Sequence, residues 1–360
     1  MEQFFCPTKV IAGPGAVCEL ENLNIRRLLL VTDPYFEKNG TASRIAGLVK
    51  GEAVEIFSKV QPDPSVELVA EGTAAVKAFA PDTVVALGGG SAMDCAKAML
   101  WFSGLEAKLI AIPTTSGSGS EVTDFAVVTH GKVKHPLVDK KLLPAVAILD
   151  SDLLEALPGP LIADCGFDVL SHALEAFVAK NAGMVSDALA KDAFCAAFAA
   201  LPASYCGKLE VRGRIHTAAT MAGMAFSQSG LGICHAFAHI LGGLFHVPHG
   251  RLNAILLPSV VELNARHDPR KYALLARCAG LGGAADTVAV RNLKNGLIRL
   301  RKELCLPQTL AQAGIAPRDV QRAVPDVVKA VKEDPCFSTN PFAPEDFMLR
   351  RLLDEVTGRV

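Results

Sequence analysis

No stretch of this 360-residue chain approaches the roughly 20 consecutive apolar residues that a membrane-spanning helix requires. Runs such as LLLV, AVAIL and NAILLP are far shorter. Nor is there an excess of either charge. The formal net charge is −1, and basic clusters such as Arg26-Arg27 and Arg350-Arg351 are short and interrupted, where a nucleic-acid surface needs a strong basic stripe. The ten cysteines include no Cys-x-x-Cys pair and no even spacing. That excludes a disulfide framework and makes them free thiols of a reducing compartment. The opening MEQFFCPTKV lacks the charged start, apolar run and cleavage site of a secretory signal. Internal repeats and low-complexity segments are missing too. The expectation is a cytoplasmic protein with neither nucleic acid nor membrane as partner.

What is present is material for a large core: half of the residues are hydrophobic and a fifth charged, enough for two domains. Five short apolar runs predict strands at Arg27 to Thr32, Ala53 to Phe57, Thr83 to Leu87, Lys108 to Ile112 and Ala145 to Leu149. Most are continuous, as in a parallel sheet buried on both faces. Helical spacing between them, as at Val66, Val69, Ala70 and Val76 ahead of Pro81, gives a nucleotide-domain rhythm. The character changes at Leu157-Pro158-Gly159-Pro160. Beyond it Ala, Leu and Phe recur at helical spacing, with breaks expected at Pro202, Gly213, Gly230, Pro248, Pro258, Pro307 and Pro317. The fold class expected is an α/β Rossmann-like dinucleotide-binding domain over residues 1–157. An all-α domain for metal and substrate follows over 158–360.

Two loops follow predicted strands. Gly88-Gly89-Gly90-Ser91-Ala92-Met93-Asp94 opens a helix, where backbone can approach a pyrophosphate closely and free N–H groups face it. It is neither Gly-x-Gly-x-x-Gly nor a Walker loop. Pro113 to Thr123, PTTSGSGSEVT, supplies hydroxyls and small residues at the end of the next strand, suited to phosphate and ribose. Each alone could be a packing turn or a flexible loop; in succession they make a dinucleotide crevice the better account. Asp33, closing the strand in LLLVTDP, is placed either to bond the adenosine ribose and favour NAD over NADP, or simply to start a turn before Pro34.

A third constellation points to metal. Asp168 and His172 are four apart and share a helix face, as do His235 and His239. His249 follows in a loop, with His246 nearby. A carboxylate with several imidazoles suits Fe²⁺ or Zn²⁺ better than Mg²⁺ or Ca²⁺. A lone histidine is more often an ordinary core residue than a ligand, and His130, His135, His216, His246 and His267 are placed in that class.

Taken together, VTD, GGGSAMDCAK, PTTSGSGSEVT, KHPLVDKKLLPAVAILD, FDVLSHALEA, GMAFSQSGLGICHAFAHILGG and FHVPHGRLNAILLP closely resemble the iron-containing (group III) alcohol dehydrogenases, over nearly the whole chain. Residues Leu100 to Ser103, QPDP at Gln61 to Pro64 and GMAFSQSGLG at Gly223 to Gly232 look most like the 1-propanol dehydrogenases of bacterial microcompartment pathways. The resemblance implies metal ligands Asp168, His172, His235 and His249 holding iron, with zinc as the alternative. It makes His239 a non-ligand suited to proton transfer, and implies NAD(H) contacts at Asp33, Asp63, Gly89, Gly90, Ser91, Asp94, Thr114, Thr115, Ser118 and Lys134. Counting along the family pattern puts Phe125 and Phe226 at the substrate. It also implies a homo-oligomer, expected as a dimer, with microcompartment shell or enzyme partners.

The activity implied is interconversion of a short-chain primary alcohol and its aldehyde, 1-propanol and propanal or ethanol and acetaldehyde. The rivals are a polyol or diol dehydrogenase, a dehydroquinate-synthase-like lyase, and a non-catalytic nucleotide-binding scaffold. Few Arg or Lys lie in the metal segments, and both ligand set and phosphate loops are intact, which favours the simple alcohol. Three residues depart from the family pattern: Ser118 for Thr, Cys165 for Thr, and Arg251 for a small or apolar residue after Pro-His-Gly.

Overall fold

A computed structural model describes residues 3–131 and 133–358, with the backbone alone at Val133; the first two residues of the MEQFFCPTKV segment lie outside it. The chain divides into two compact units, Phe5–Leu157 and the part from Pro158 onward, to which the described residues before Phe5 also belong.

The first unit holds eight strands: β1 (Lys9–Ala12), β2 (Arg27–Val31), β3 (Ala53–Phe57), β4 (Thr83–Gly88), β5 (Lys108–Pro113), β6 (Phe125–His130), β7 (Val133–Val138) and β8 (Val146–Leu149). Its helices are α1 (Pro34–Lys38), α2 (Thr41–Ala46), α3 (Val66–Phe79) and α4 (Gly90–Ser103). Six strands form one sheet in the order β1-β8-β5-β4-β2-β3, every pair parallel. The five predicted runs are its inner strands and one edge. Their continuous hydrophobicity has a direct cause: Leu29, Val31, Val84 and Ala86 pack on one side with Met93 and Val76, while Leu28, Leu30, Val85 and Leu87 pack on the other with Ile45 and Ile148. Both faces are covered, so alternation is lost.

Two features differ from the sequence expectation. The edge strand β1 was not foreseen, its four residues being mostly exposed. Nor was the antiparallel pair β6–β7, because β7 contains Pro136 and weak alternation.

The second unit is helical: α5 (Gly159–Val178), α6 (Met184–Tyr205), α7 (Arg212–Ser229), α8 (Ile233–Phe245), α9 (His249–Ala265), α10 (Arg270–Cys278), α11 (Asp286–Glu303), α12 (Pro317–Glu333), α13 (Pro335–Thr339) and α14 (Asp346–Thr357). Helix α5 is buried at nearly every position from Ile162 to Val178, so its apolar residues run all round it and its few polar ones are buried too.

Two expected breaks are not breaks. Pro202 lies inside α6 and Pro258 inside α9. In α9 the missing N–H of Pro258 would have bonded the carbonyl of Ala254. The buried guanidinium of Arg301 donates there instead, from Nη1 to Ala254 O and Ile255 O at 3.0 Å each. Gly213 falls one residue inside the start of α7, so a break does stand beside it.

Candidate metal centre and nucleotide loops

The polar residues of α5 lie along one stripe. Asp164, Asp168, His172 and Glu175 follow at intervals of four, four and three, the spacing that keeps side chains on one helical face. Asp168 is the hub. Its Oδ1 lies 3.9 Å from His172 Nε2, 3.9 Å from His235 Nε2 and 3.5 Å from His249 Nε2. The donor atoms of Asp168, His172 and His235 are all within 4.8 Å of one another. His249 joins them through Asp168, from the first residue of α9 rather than from a loop.

The surroundings fix these groups. Glu175, fully buried, accepts from the backbone N–H of Gly232 (3.0 Å), Cys234 (2.7 Å) and His235 (3.2 Å). Together with Asn340, whose Oδ1 accepts from Ile233 N at 3.2 Å, it closes the start of α8. The same carboxylate contacts His235 Nδ1 at 2.7 Å. With Nδ1–H donating, the lone pair of His235 is left on Nε2, the atom facing Asp168. Burial raises the Glu175 carboxyl to about 7, against the pull of its three backbone donors. Burial, then the neighbouring His172, His249 and His239, hold the His235 imidazole well below its ordinary value, so it stays neutral. Asn253, one turn beyond His249, donates from Nδ2 to Asp168 Oδ1 at 2.9 Å. The rings of Phe226 and His172 stack at 4.5 Å, and those of His172 and His235 at 4.5 Å.

His239 stands apart from Asp168. Its Nδ1 lies 2.9 Å from Asp334 Oδ2, and its ring stacks on His249 with centroids 5.3 Å apart. Asp334 is itself anchored, accepting from Cys336 N at 2.8 Å at the start of α13. Burial works against its charge, yet the His239 contact and the backbone donor keep the carboxyl below the usual range. His246, by contrast, is the exposed C-cap of α8 with φ 56°, a purely local role. His267 stacks on Phe342.

In the first unit, the sheet order reverses between β2 and β4, the place where parallel sheets open a crevice at their carboxyl ends. Asp33 and the glycine loop both stand there. Oδ1 of Asp33 caps α1, accepting from Tyr35 N (2.8 Å) and Phe36 N (3.3 Å). The turn reading of Asp33 therefore holds, while its Oδ2 lies 3.9 Å from where a Cβ on Gly88 would be. Gly88 has φ +150°, and a Cβ there would meet Ala92 at 2.6 Å. The two loops touch. A Cβ on Gly89 would be 3.1 Å from Thr115 Oγ1, and one on Gly90 would be 3.2 Å from Ser118 Oγ. Gly89 is the N-cap of α4, with Gly90 and Ser91 in its first turn. Thr114 is buried and donates its N–H to Gly88 O at 3.0 Å. Asp63, at φ 53°, pairs with Lys134 Nζ at 2.5 Å.

Asp94 has an internal task. It accepts from Ser120 Oγ (3.0 Å) and Val127 N (3.2 Å), and burial raises its carboxyl to about 6. Beside it the buried Lys97, lowered to about 8 by burial, donates to Ser120 O (2.6 Å), Thr123 O (2.8 Å) and Phe125 O (2.9 Å). This lysine ties the Ser/Thr loop to α4. Phe125 is half-buried at the start of β6.

Sequence reasoning assigned no role to Glu175, Asn253, Asp334 or Lys97. For Glu175 a signal existed, since it continues the Asp168–His172 stripe. For Asp334 none did, because its partner is 95 positions away.

Comparison with known proteins agrees with this architecture. The family profile described as iron-containing alcohol dehydrogenase matches residues 7–151, and its Fe-containing C-terminal counterpart matches residues 162–355. The chain is 38% identical to the 1-propanol dehydrogenase PduQ of Citrobacter freundii, covering 99% of this chain and 100% of that protein. It is 37% identical to an NADPH-dependent butanol dehydrogenase of Clostridium saccharobutylicum, covering 95% and 94%. The structure of an iron-containing alcohol dehydrogenase from Thermococcus thioreducens superposes with a TM-score of 0.92 at 32% identity, covering 98% and 99%. With both profiles matched in order and the relatives aligned from end to end, the chain belongs to the iron-containing alcohol dehydrogenase family.

Proposed function

We propose that this protein interconverts a short-chain primary alcohol and its aldehyde, 1-propanol and propanal or ethanol and acetaldehyde, using NAD(H) and a divalent iron or zinc ion. The observation that carries the reading is the set of three imidazole Nε2 atoms within 3.5–3.9 Å of one carboxylate oxygen. Ligands bonded at about 2.0–2.2 Å in a tetrahedral site stand about 3.4 Å apart, so the spacing fits an ion with little adjustment. One carboxylate and three imidazoles also suit iron or zinc.

Asp168, His172, His235 and His249 would hold the ion, which supplies Lewis acidity to the alcohol oxygen while NAD takes up the hydride. The protein's own groups do the rest. Glu175 and Asn253 keep His235 and Asp168 aimed. Asp334 fixes His239 through Nδ1, leaving Nε2 to move the proton. Phe226, stacked on His172, offers an apolar wall, and Phe125 is assigned a similar role on the family count alone. The touching loops at Gly89, Gly90, Ser91, Thr114, Thr115 and Ser118 receive the pyrophosphate. Asp33 favours NAD over NADP at the ribose, and Asp63 with Lys134 completes the cofactor contacts. Asp94 supports the loops from beneath.

The test is NADH consumption by metal-loaded protein with propanal and with lactaldehyde. An unpaired buried hydroxyl costs about 1–3 kcal/mol, so kcat/KM for propanal is expected at least about tenfold higher. Equal efficiencies would return the diol reading to favour. Turnover unaffected by stripping the metal would refute the metal chemistry. Among the described residues no helix is long and apolar enough to cross a membrane. A homodimer in the cytoplasm or a microcompartment is proposed on the sequence resemblance, and sedimentation of the purified protein tests the dimer.

A further inference from the structure

The first turn of α9 is tied to α5 by more than His249. Arg251, two residues on, lays its guanidinium on Asp164 as a fork, with Nε to Oδ1 at 3.2 Å and Nη2 to Oδ2 at 2.8 Å. Asp164 lies one turn before Asp168, so this pair spans the same two helices as the Asp168–His249 contact. Between His249 and Arg251, Gly250 brings the backbones together: a Cβ there would stand 2.0 Å from Asp164 O. Two separate features therefore press the start of α9 onto one residue of α5. The other candidate ligands have different support. Asp168 and His172 share α5, and His235 is held by Glu175. His249 has the most exposed side chain of the four, 35% against 13% or less, and so is the least enclosed of the candidate ligands.

We propose that the Asp164–Arg251 pair is a latch that keeps His249 in the metal site and so sets how slowly the metal leaves. Both are positioning residues, and the proposal rests on reading Asp168, His172, His235 and His249 as the ligand set. A bidentate guanidinium–carboxylate pair fixes orientation as well as distance, which a lysine cannot do. An ion pair largely withdrawn from water adds little net stability, because desolvation offsets attraction. Replacing both partners together therefore acts on metal exchange more than on folding, whereas removing one leaves the other unpaired and also costs stability.

The experiment loads the full-length protein with zinc and follows its transfer to excess chromogenic chelator. Arg251→Met and Asp164→Asn are expected to release zinc about tenfold faster than the wild type with circular dichroism unchanged and Tm lowered, while the double variant Asp164→Asn/Arg251→Met, which leaves no charge alone, releases zinc as fast with Tm within a few degrees of the wild type. Arg251→Lys, which keeps the charge without the fork, is expected to fall between. His249→Ala separates the two layers of the argument. If it releases zinc fast while Arg251→Met and Asp164→Asn match the wild type, the latch is overturned and the ligand set stands. If His249→Ala itself matches the wild type, the ligand set fails. Should Arg251→Met not fold, Arg251→Lys at the wild-type rate overturns the latch by itself.

Discussion

Glu175 on α5 accepts the start of α8 and, with the same carboxylate, contacts Nδ1 of His235 at 2.7 Å. One buried group thus sets both where the helix begins and which nitrogen of its histidine faces Asp168. Packing and imidazole orientation are a single device here, because a carboxylate has enough lone pairs to serve a helix terminus and an imidazole together.

Replacing that group separates the two tasks. Glu175→Gln keeps the shape but accepts through only one oxygen, and it no longer enforces the His235 tautomer. Metal affinity is expected to fall about 10–100-fold, read by chelator competition, with the helical circular dichroism retained. An affinity equal to wild type would remove Glu175 from any role at the metal.

Of the two histidines flanking Val247-Pro248, only one should matter to the metal. His249→Ala is expected to lose metal and activity together. His246→Gly should keep both, and by relieving a left-handed residue at the end of α8 should be neutral or stabilising by up to about 1 kcal/mol. Metal content after dialysis and thermal melts decide each half.

On the proposed reading, Asp33 sets the cofactor preference. Because its Oδ1 caps α1, glycine would confound charge with capping. Asn caps as well as Asp. Asp33→Asn is therefore expected to lower the NADH over NADPH ratio of kcat/KM by about tenfold without loss of stability. An unchanged ratio would leave Asp33 as a helix cap and nothing more.

Asp94 makes the stability of the first unit depend on pH. Its carboxyl, ordinarily at 3.8, is raised to about 6 in the folded protein. Between those values the folded form holds a proton that the unfolded form has released, so this group's contribution is full below 3.8 and is lost as pH rises through about 6. The single tryptophan, Trp101, lies on α4 and reports this unit. Urea midpoints from its fluorescence should show Asp94→Asn gaining on the wild type as pH rises across that window, then running parallel above it. A constant difference from pH 4 to 7 would show that Asp94 is ionised throughout.

Much of this molecule is legible in one dimension. The strands at Leu28–Val31, Val84–Leu87 and Leu109–Ile112 declare themselves because a sheet covered on both faces needs apolar residues at every position. Asp168 with His172, and His235 with His239, share faces because four residues make about one helical turn. The glycines at 88–90 mark backbone that a side chain would obstruct. The tertiary structure alone decided which faces meet. Glu175 finds α8 across 57 to 60 positions, Arg251 finds Asp164 across 87, and Arg301 excuses Pro258 from breaking α9. Periodicity fixes the direction a side chain takes from its own helix, whereas its partner is chosen by how helices pack, and no local pattern carries that information.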